Sequence, residues 1–173
     1  MRENSNNQLE YLTEHYHELV DQVFRFTYLK TNNKEIAEEL TSECFLSTIT
    51  YLKEYEVENI RAFLFKVARN KIIDHYRRKD RIIYSDEVVQ ANEKGSDADE
   101  VITMQEAKMV AEKIRLLPDD VREVLILRYL EDLDIKEIAD IIGKSQVATR
   151  VQIFRALKKA RELLMGGHNQ KKQ

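Results

Sequence analysis

Apolar residues recur at intervals of three and four in the first half of the chain. Three stretches show this spacing, at residues 8–30, about 34–53 and about 60–79. Such spacing places the apolar side chains along one face of an amphipathic helix, so each stretch is predicted to be helical. The segment Thr31–Asn33 offers three candidate caps for the second helix, because these side chains accept hydrogen bonds from the first backbone amides of a helix.

The helical pattern resumes in the second half of the chain. Helices are predicted near 102–116, 118–131, 135–142 and 145–164. Pro118 suits the first position of its helix, where a missing N–H costs nothing. With one proline and four glycines in 173 residues, few sharp turns are available, which favours an all-α fold.

The last two predicted helices are joined by a short segment with the chemistry of a turn. Ala139 is small enough for close helix crossing, Gly143 suits a left-handed helix end, and Ser145 can cap the next helix. This spacing is typical of a helix-turn-helix, whose second helix enters the major groove of DNA. Spacing alone leaves open a helical hairpin with a solvated basic face.

Charge is strongly segregated along a chain whose net charge is only −3. Residues 61–81 hold eight basic and two acidic residues, and residues 144–161 hold six basic and no acidic ones. Between them, residues 82–106 hold seven acidic and one basic residue. The net charge alone argues weakly against a nucleic-acid partner. Two basic helices that flank an acidic connector nevertheless favour such a partner. The connector is predicted to be a flexible linker.

Catalytic and targeting signals are missing from the sequence. Cys44 is the single cysteine, which excludes an internal disulfide and a cysteine-rich zinc site. No glycine-rich phosphate loop, metal-ligand cluster or nucleophile paired with a base stands out, so we expect no catalysis, no metal and no cofactor. The N-terminus is polar and no apolar run reaches the roughly 18 residues of a membrane span. A cytoplasmic protein without a membrane span is therefore expected.

Two helices of the first half carry candidate binding surfaces. The third predicted helix mixes aromatic residues with basic residues and an amide, which suits opened or single-stranded nucleic acid. Alternatively, the aromatic residues of this helix belong to the core and its basic residues form an ordinary solvated edge. The second helix carries an acidic stripe at Glu35, Glu38, Glu39 and Glu43, which is either a solvated face or a dock for a basic partner.

Three motifs together resemble the sigma-70 family, and specifically its small extracytoplasmic-function group. "LPDDVREVLILRYLEDLDIKEIADIIGKS…FRALKKARELL" resembles sigma region 4. "NKEIAEELTSECFLSTI" looks like the region 2 helix that docks on RNA polymerase, and "AFLFKVARNKIIDHYRR" is similar to the helix that opens the promoter. The resemblance implies two small helical domains, region 2 over 1–81 and region 4 over 104–173, joined by an acidic linker over 82–103.

The resemblance also implies roles for individual residues. The polymerase-docking face would comprise Glu38, Glu39, Leu40, Thr41 and Glu43. The promoter minus-10 element would be held by Lys66, Arg69, Asn70, Arg77 and Arg78, with the loop 53–59 capturing a flipped base. The minus-35 element would be read by Ser145, Gln146, Arg150, Val151, Phe154 and Arg155.

The implied function is that of a sigma factor, which binds the RNA polymerase core and directs transcription from specific promoters. Its partners would be the core enzyme, promoter DNA and an anti-sigma factor. Phe63 stands where the family often has tryptophan, and Val151 and Gln152 depart from the usual recognition helix, which indicates a changed promoter preference. The alternatives are a helix-turn-helix regulator that acts without polymerase and a helical adaptor for acidic proteins.

Overall fold

The computed structural model describes residues 2–83 and 112–165. Within these ranges the regular elements are helices and no strand is present, which confirms the all-α prediction. Internal packing divides the chain into two compact units, with the boundary between Asp97 and Ala98. The predicted connector at 82–103 lies outside the described residues from position 84 onward, so its flexibility stays a prediction. The predicted domain limits at 81 and 104 also stay predictions. The last helix of the first unit runs to Ile83.

Four helices build the first unit. They are α1 (Arg2–Glu14), α2 (Tyr16–Thr31), α3 (Lys34–Leu52) and α4 (Ile60–Ile83). Helices α2, α3 and α4 pack against one another around fully buried apolar side chains. Phe26 of α2 meets Phe65 of α4 edge to face, with ring centroids 5.5 Å apart. This core fixes the outward faces of α3 and α4.

The predicted single helix at 8–30 is two helices in the structure. His15 leaves helical geometry with φ −99° and ψ 14° and separates α1 from α2. The backbone hydrogen bonds from His15 N to Tyr11 O and from Leu19 N to His15 O keep the two helices in register, each at 3.0 Å. Because the apolar period continues through this one-residue break, the pattern of the sequence could not reveal it.

The junctions of this unit follow side-chain chemistry. Asn32 adopts a left-handed φ of 54° and ends α2. Asn33 begins α3, its Oδ1 accepting from the Ile36 amide at 2.9 Å, so the cap lies at one of the three predicted positions. Asn59 caps α4 in the same way, through the Ala62 amide at 3.0 Å.

The second unit contains three named helices and one π-helical turn among its described residues. Helix α5 (Asp119–Leu125) continues as the π-helical turn Ile126–Leu130, followed by α6 (Ile135–Ile142) and α7 (Gln146–Met165). Residues 112–115 are also helical. Pro118 lies at the cap position and Asp119 is the first helical residue, one place later than predicted.

A correctly predicted turn joins α6 to α7. Gly143 has φ 68° and ends α6. The Ser145 hydroxyl accepts from the Ala148 amide at 3.2 Å and caps α7. Asp134 and Glu137 form a reciprocal capping box at the start of α6, with hydrogen bonds of 2.8 and 2.7 Å. The two helices form the predicted helix-turn-helix.

Candidate nucleic-acid interface

Helix α7 has one buried face and one exposed face. Thr149, Ile153, Ala156 and Ala160 are buried against the rest of the unit. Their spacing of three and four places them on one side of the helix, since successive residues turn by about 100°. The opposite side faces outward, so this unit presents the predicted recognition helix with its polar and basic side chains available.

The structure brings the predicted minus-35 residues together at the start of α7. Gln146, Arg150, Val151, Phe154 and Arg155 are all exposed on this helix. Arg150 and Arg155 lie about 140° apart around the axis and flank the outward direction rather than stacking on one line. The available donors therefore form two edges of a surface.

Two polar residues of this surface already have partners within the protein. The Ser145 hydroxyl caps α7, so its side chain has a structural role there. Lys144 Nζ, in the segment between α6 and α7, donates to Gln152 Oε1 of α7 at 2.6 Å. This hydrogen bond orients the Gln152 amide, a contact that the sequence analysis did not predict.

Helix α4 carries the predicted minus-10 residues, and only some of them share a line. Lys66, Asn70 and Arg77 fall within about 40° of one another around the helix. Arg69 lies beside that line, while Arg78 is turned away by about 100°. Ile73, which the sequence-based set omitted, is exposed between Asn70 and Arg77.

Arg77 and Arg78, at the end of this face, both contact Asp74. Arg77 Nη2 lies 3.0 Å from Asp74 Oδ1, and both side chains are more than half exposed. Arg78 Nε donates to the Asp74 carbonyl oxygen at 3.3 Å. Exposed pairs of this kind contribute little to stability and exchange readily for another anion. Arg77 and Arg78 can therefore bind phosphate at small cost.

Three aromatic rings from the end of α3, the following loop and the start of α4 meet one another, and the predicted site residues included none of them. Tyr51 contacts Tyr55 and Phe63, with ring centroids 4.9 and 4.8 Å apart. Tyr51 and Tyr55 are exposed. Their spacing of four was visible in the sequence, but the helix and loop that bring them to Phe63 were not. Such a group of rings offers a stacking surface for unpaired bases.

The loop 53–59 beside these rings is held by the first helix. Gln8 Nε2 donates to the Val57 carbonyl at 2.6 Å, and Val57 N donates to Gln8 Oε1 at 3.2 Å. One amide side chain thus satisfies both backbone groups of one loop residue. Gln8 lies 49 positions from Val57, so no local pattern could have predicted this contact.

The predicted polymerase-docking face on α3 contains both exposed and buried residues. Glu38 and Glu39 are exposed, but Leu40 and Thr41 are buried and point into the unit. Leu40 lies in helical register with the buried Ala37 and Cys44, so it packs in the core. Both side chains are buried in this structure, and the docking roles predicted for Leu40 and Thr41 stay predictions.

Glu43 has a partner inside the unit, and the exposed face includes a residue that was missed. Lys71 Nζ of α4 lies 3.0 Å from Glu43 Oε2, with Glu43 partly exposed. Leu46, two turns after Glu39, is 63% exposed. The outward face of α3 thus consists of carboxylates followed by an exposed leucine, a combination that suits a basic partner with an apolar contact.

Two family models match the chain, one in each unit. The model for sigma-70 region 2 matches residues 15–82, and the model for sigma-70 region 4 matches residues 107–159. Together they cover more than half of the chain, in the order the sequence analysis predicted. The first match contains α2 to α4, and the second contains the helix-turn-helix.

Two ECF RNA polymerase sigma factors are similar to most of this chain. The ECF RNA polymerase sigma factor SigM of Bacillus subtilis is 28% identical over 159 residues, covering 91% of this chain and 98% of the relative. BldN of Streptomyces coelicolor, another ECF RNA polymerase sigma factor, is 30% identical over 154 residues, covering 86% of this chain and 58% of the relative.

A solved structure supports the fold. The sigma factor RpoE of Bartonella quintana, crystallised with the anti-sigma factor NepR, aligns with a TM-score of 0.75 at 18% identity, covering 90% of this chain and 97% of that one. The chain therefore belongs to the sigma-70 family and, within it, to the extracytoplasmic-function group of RNA polymerase sigma factors.

Proposed function

We propose that this chain binds the RNA polymerase core enzyme and directs it to promoters that carry two defined sequence elements. The observation that carries the proposal is the pairing, in one chain, of a basic helix-turn-helix with a helical unit that combines a basic face and exposed aromatic rings. A regulator that only binds duplex DNA has no use for the first unit.

Each unit binds one of the two promoter elements. On α7, Gln146, Arg150, Val151, Phe154 and Arg155 read the minus-35 element in the major groove, where arginine recognises guanine and apolar groups contact thymine. Ser145 supports this surface by capping the helix. These roles are consistent with the exposure of the side chains.

In the first unit, Lys66, Arg69, Asn70, Arg77 and Arg78 hold the minus-10 element. Tyr51, Tyr55 and Phe63 stack on bases of the opened strand, and Gln8 keeps the loop 53–59 in place beside them. The basic groups hold the phosphates while the rings hold the bases, which is the division expected for single-stranded nucleic acid.

The exposed carboxylates Glu38 and Glu39 of α3, together with Glu43 and Leu46, dock on a basic surface of the core enzyme. Bond making and breaking belong to the polymerase, so the chain itself is not an enzyme. It works in the cytoplasm, where its polymerase and promoter DNA are. Among the described residues no helix is long and apolar enough to cross a membrane.

An anti-sigma factor is the further partner we propose. Support comes from the structural relative crystallised as a sigma factor in complex with the anti-sigma factor NepR. Binding of such a protein would occlude the docking or DNA-binding faces, so the inhibitor and the polymerase would compete for the chain.

Run-off transcription tests this function. Purified core polymerase, a genomic promoter library and the chain should give transcripts that require the chain and share two upstream motifs. The control is the core enzyme alone. Duplex binding that is identical with and without core, and no transcript dependent on the chain, would identify a regulator that acts without polymerase. No salt-sensitive DNA binding at all would identify an adaptor for proteins.

A further inference from the structure

An apolar strip runs along the middle of the exposed face of α7. Val147 is 68% exposed, Val151 42% and Phe154 71%. They are spaced four and three apart, so they form one line along the helix. This line lies opposite the buried Thr149 and Ile153, which places it where the helix projects farthest from its own unit.

On α7 itself, cations and no anions border the strip, while Asp120 of α5 lines the groove beside Val151 and Arg155. Arg150 lies on one side of it and Arg155 on the other, and Lys158 follows one turn beyond Phe154. No acidic residue occurs from Lys144 to Arg161. An apolar protein partner would gain nothing from these cations, whereas a polyanion with an apolar feature between two rows of charge would match the whole surface.

The major groove of DNA has this arrangement. Phosphates run along both edges of the groove, and the thymine C5-methyl is the apolar group that base pairs display on its floor. From Val147 to Phe154 the helix rises about 10 Å at 1.5 Å per residue. That length spans roughly three base-pair steps of about 3.4 Å.

We infer that Val147, Val151 and Phe154 read thymine methyl groups, so the minus-35 element of this sigma factor contains thymine at two or three neighbouring base pairs, on either strand. This inference rests on the proposed function and names the specificity of its recognition helix. Arg150 and Arg155 then provide the hydrogen bonds to bases or phosphates at the edges. Val147 was absent from the residues predicted from the sequence.

Removing single methyl groups from the DNA tests the inference. Each thymine of the minus-35 element found by run-off transcription is replaced by deoxyuridine, which lacks only the methyl. Binding of the holoenzyme, formed from core polymerase and the full chain, is measured by fluorescence anisotropy. At the contacted positions we expect a loss of about fourfold in affinity per methyl, the effect of exposing one buried methyl group.

Protein variants assign the effect to the strip. Val151→Ala and Phe154→Ala should weaken binding to thymine-containing DNA and remove most of the difference between thymine and deoxyuridine. Leu163→Ala is the matched control, since Leu163 is an exposed apolar residue near the end of the same helix. It should keep the full difference. All three side chains are exposed, so helix content and thermal unfolding should match the wild type.

The outcomes separate this inference from the proposed function. If unsubstituted promoters give chain-dependent transcripts but deoxyuridine changes binding at no position, the inference fails and the function stands. If no transcript depends on the chain, but duplexes selected by the chain alone lose affinity with deoxyuridine, the function fails and the inference stands. Strip variants that bind DNA normally but lose a protein partner would also overturn the inference.

Discussion

The thiol of Cys44 shows how strongly the interior of the first unit favours neutral groups. Cys44 is buried, and its Sγ donates to the Leu64 carbonyl at 3.3 Å. Burial raises the pKa of this thiol from 9.0 to about 12, although the nearby Lys71 ammonium acts in the opposite direction. The thiol therefore stays protonated at neutral pH and is a core residue rather than a reactive group.

This shift predicts a loss of stability in alkali. In the unfolded chain the thiol ionises near pH 9, whereas in the folded chain it holds its proton to about pH 12. Between these values the unfolded state binds fewer protons, so the free energy of unfolding falls as pH rises, by up to about 1.4 kcal/mol per pH unit. Urea unfolding from pH 7 to 11 measures the effect.

Cys44→Ala is the control, because tyrosines and lysines also titrate in this range. The stability of the wild type relative to Cys44→Ala should be constant below pH 8 and should decline above pH 9. A difference that stays constant to pH 11 would show that burial does not hold the proton on this thiol.

At the scale of the helices, the pair between Glu43 on α3 and Lys71 on α4 gives Glu43 two candidate roles. Its carboxylate lies 3.0 Å from Lys71 Nζ, and it also lies one helical turn after the exposed Glu39. A partly exposed pair of this kind contributes about 0–1 kcal/mol to stability. Glu43 could act on the polymerase directly, or only by aligning the two helices.

A charge swap separates these roles. We expect Glu43→Lys to lower core binding at least tenfold with a loss of stability of about 1 kcal/mol or less, since a small cost follows from exposure. The swap Glu43→Lys with Lys71→Glu restores the ion pair but not the carboxylate at position 43. Binding to core should stay weak in the swap, as measured by co-purification and by anisotropy with labelled chain. Recovery to the wild-type level would limit Glu43 to a structural role.

Local residue preferences decided which helices and turns could be predicted from the sequence. The turn between α6 and α7 was predictable because Gly143 and Ser145 each have one strong local preference, for a left-handed end and for a cap. The π-helical turn at Ile126–Leu130 was not, because an inserted residue in a buried helix leaves the local composition unchanged. There Glu131 N donates to Ile126 O at 3.0 Å, five residues back.

Site residues divide in the same way. Basic residues on α4 and α7 were identified because charge on a surface helix is visible in composition. Leu40, which was assigned to the docking face, is buried, as its register with Ala37 and Cys44 already indicated. Gln8 and the ring cluster at Tyr51 depend on contacts between distant segments, which only the folded unit provides.

At the scale of the whole molecule, each unit has its own core. Phe26, Leu40 and Phe65 are buried in the first unit, and Val124, Leu127 and Ile138 in the second. The division between Asp97 and Ala98 lies within the acidic segment that separates the two basic helices. Under the proposed function each unit binds a different element of the promoter, so the connection would act mainly by raising the local concentration of one unit once the other has bound.

Separate units predict that the chain can be divided without loss of either fold. Fragments 1–97 and 98–173 should each be helical by circular dichroism, and their melting curves should add up to that of the whole chain. The second fragment should unfold at the lower temperature, because a unit of this size buries a smaller fraction of its surface. It should still prefer its minus-35 duplex over a scrambled one.

With core polymerase, however, the mixed fragments should need at least a hundredfold higher concentration than the intact chain to support transcription, since the second binding event is no longer intramolecular. A single shared transition in the whole chain, together with an unfolded second fragment, would show that the units depend on each other for stability. Equal transcription from the mixture would instead show that the connection contributes nothing to promoter binding.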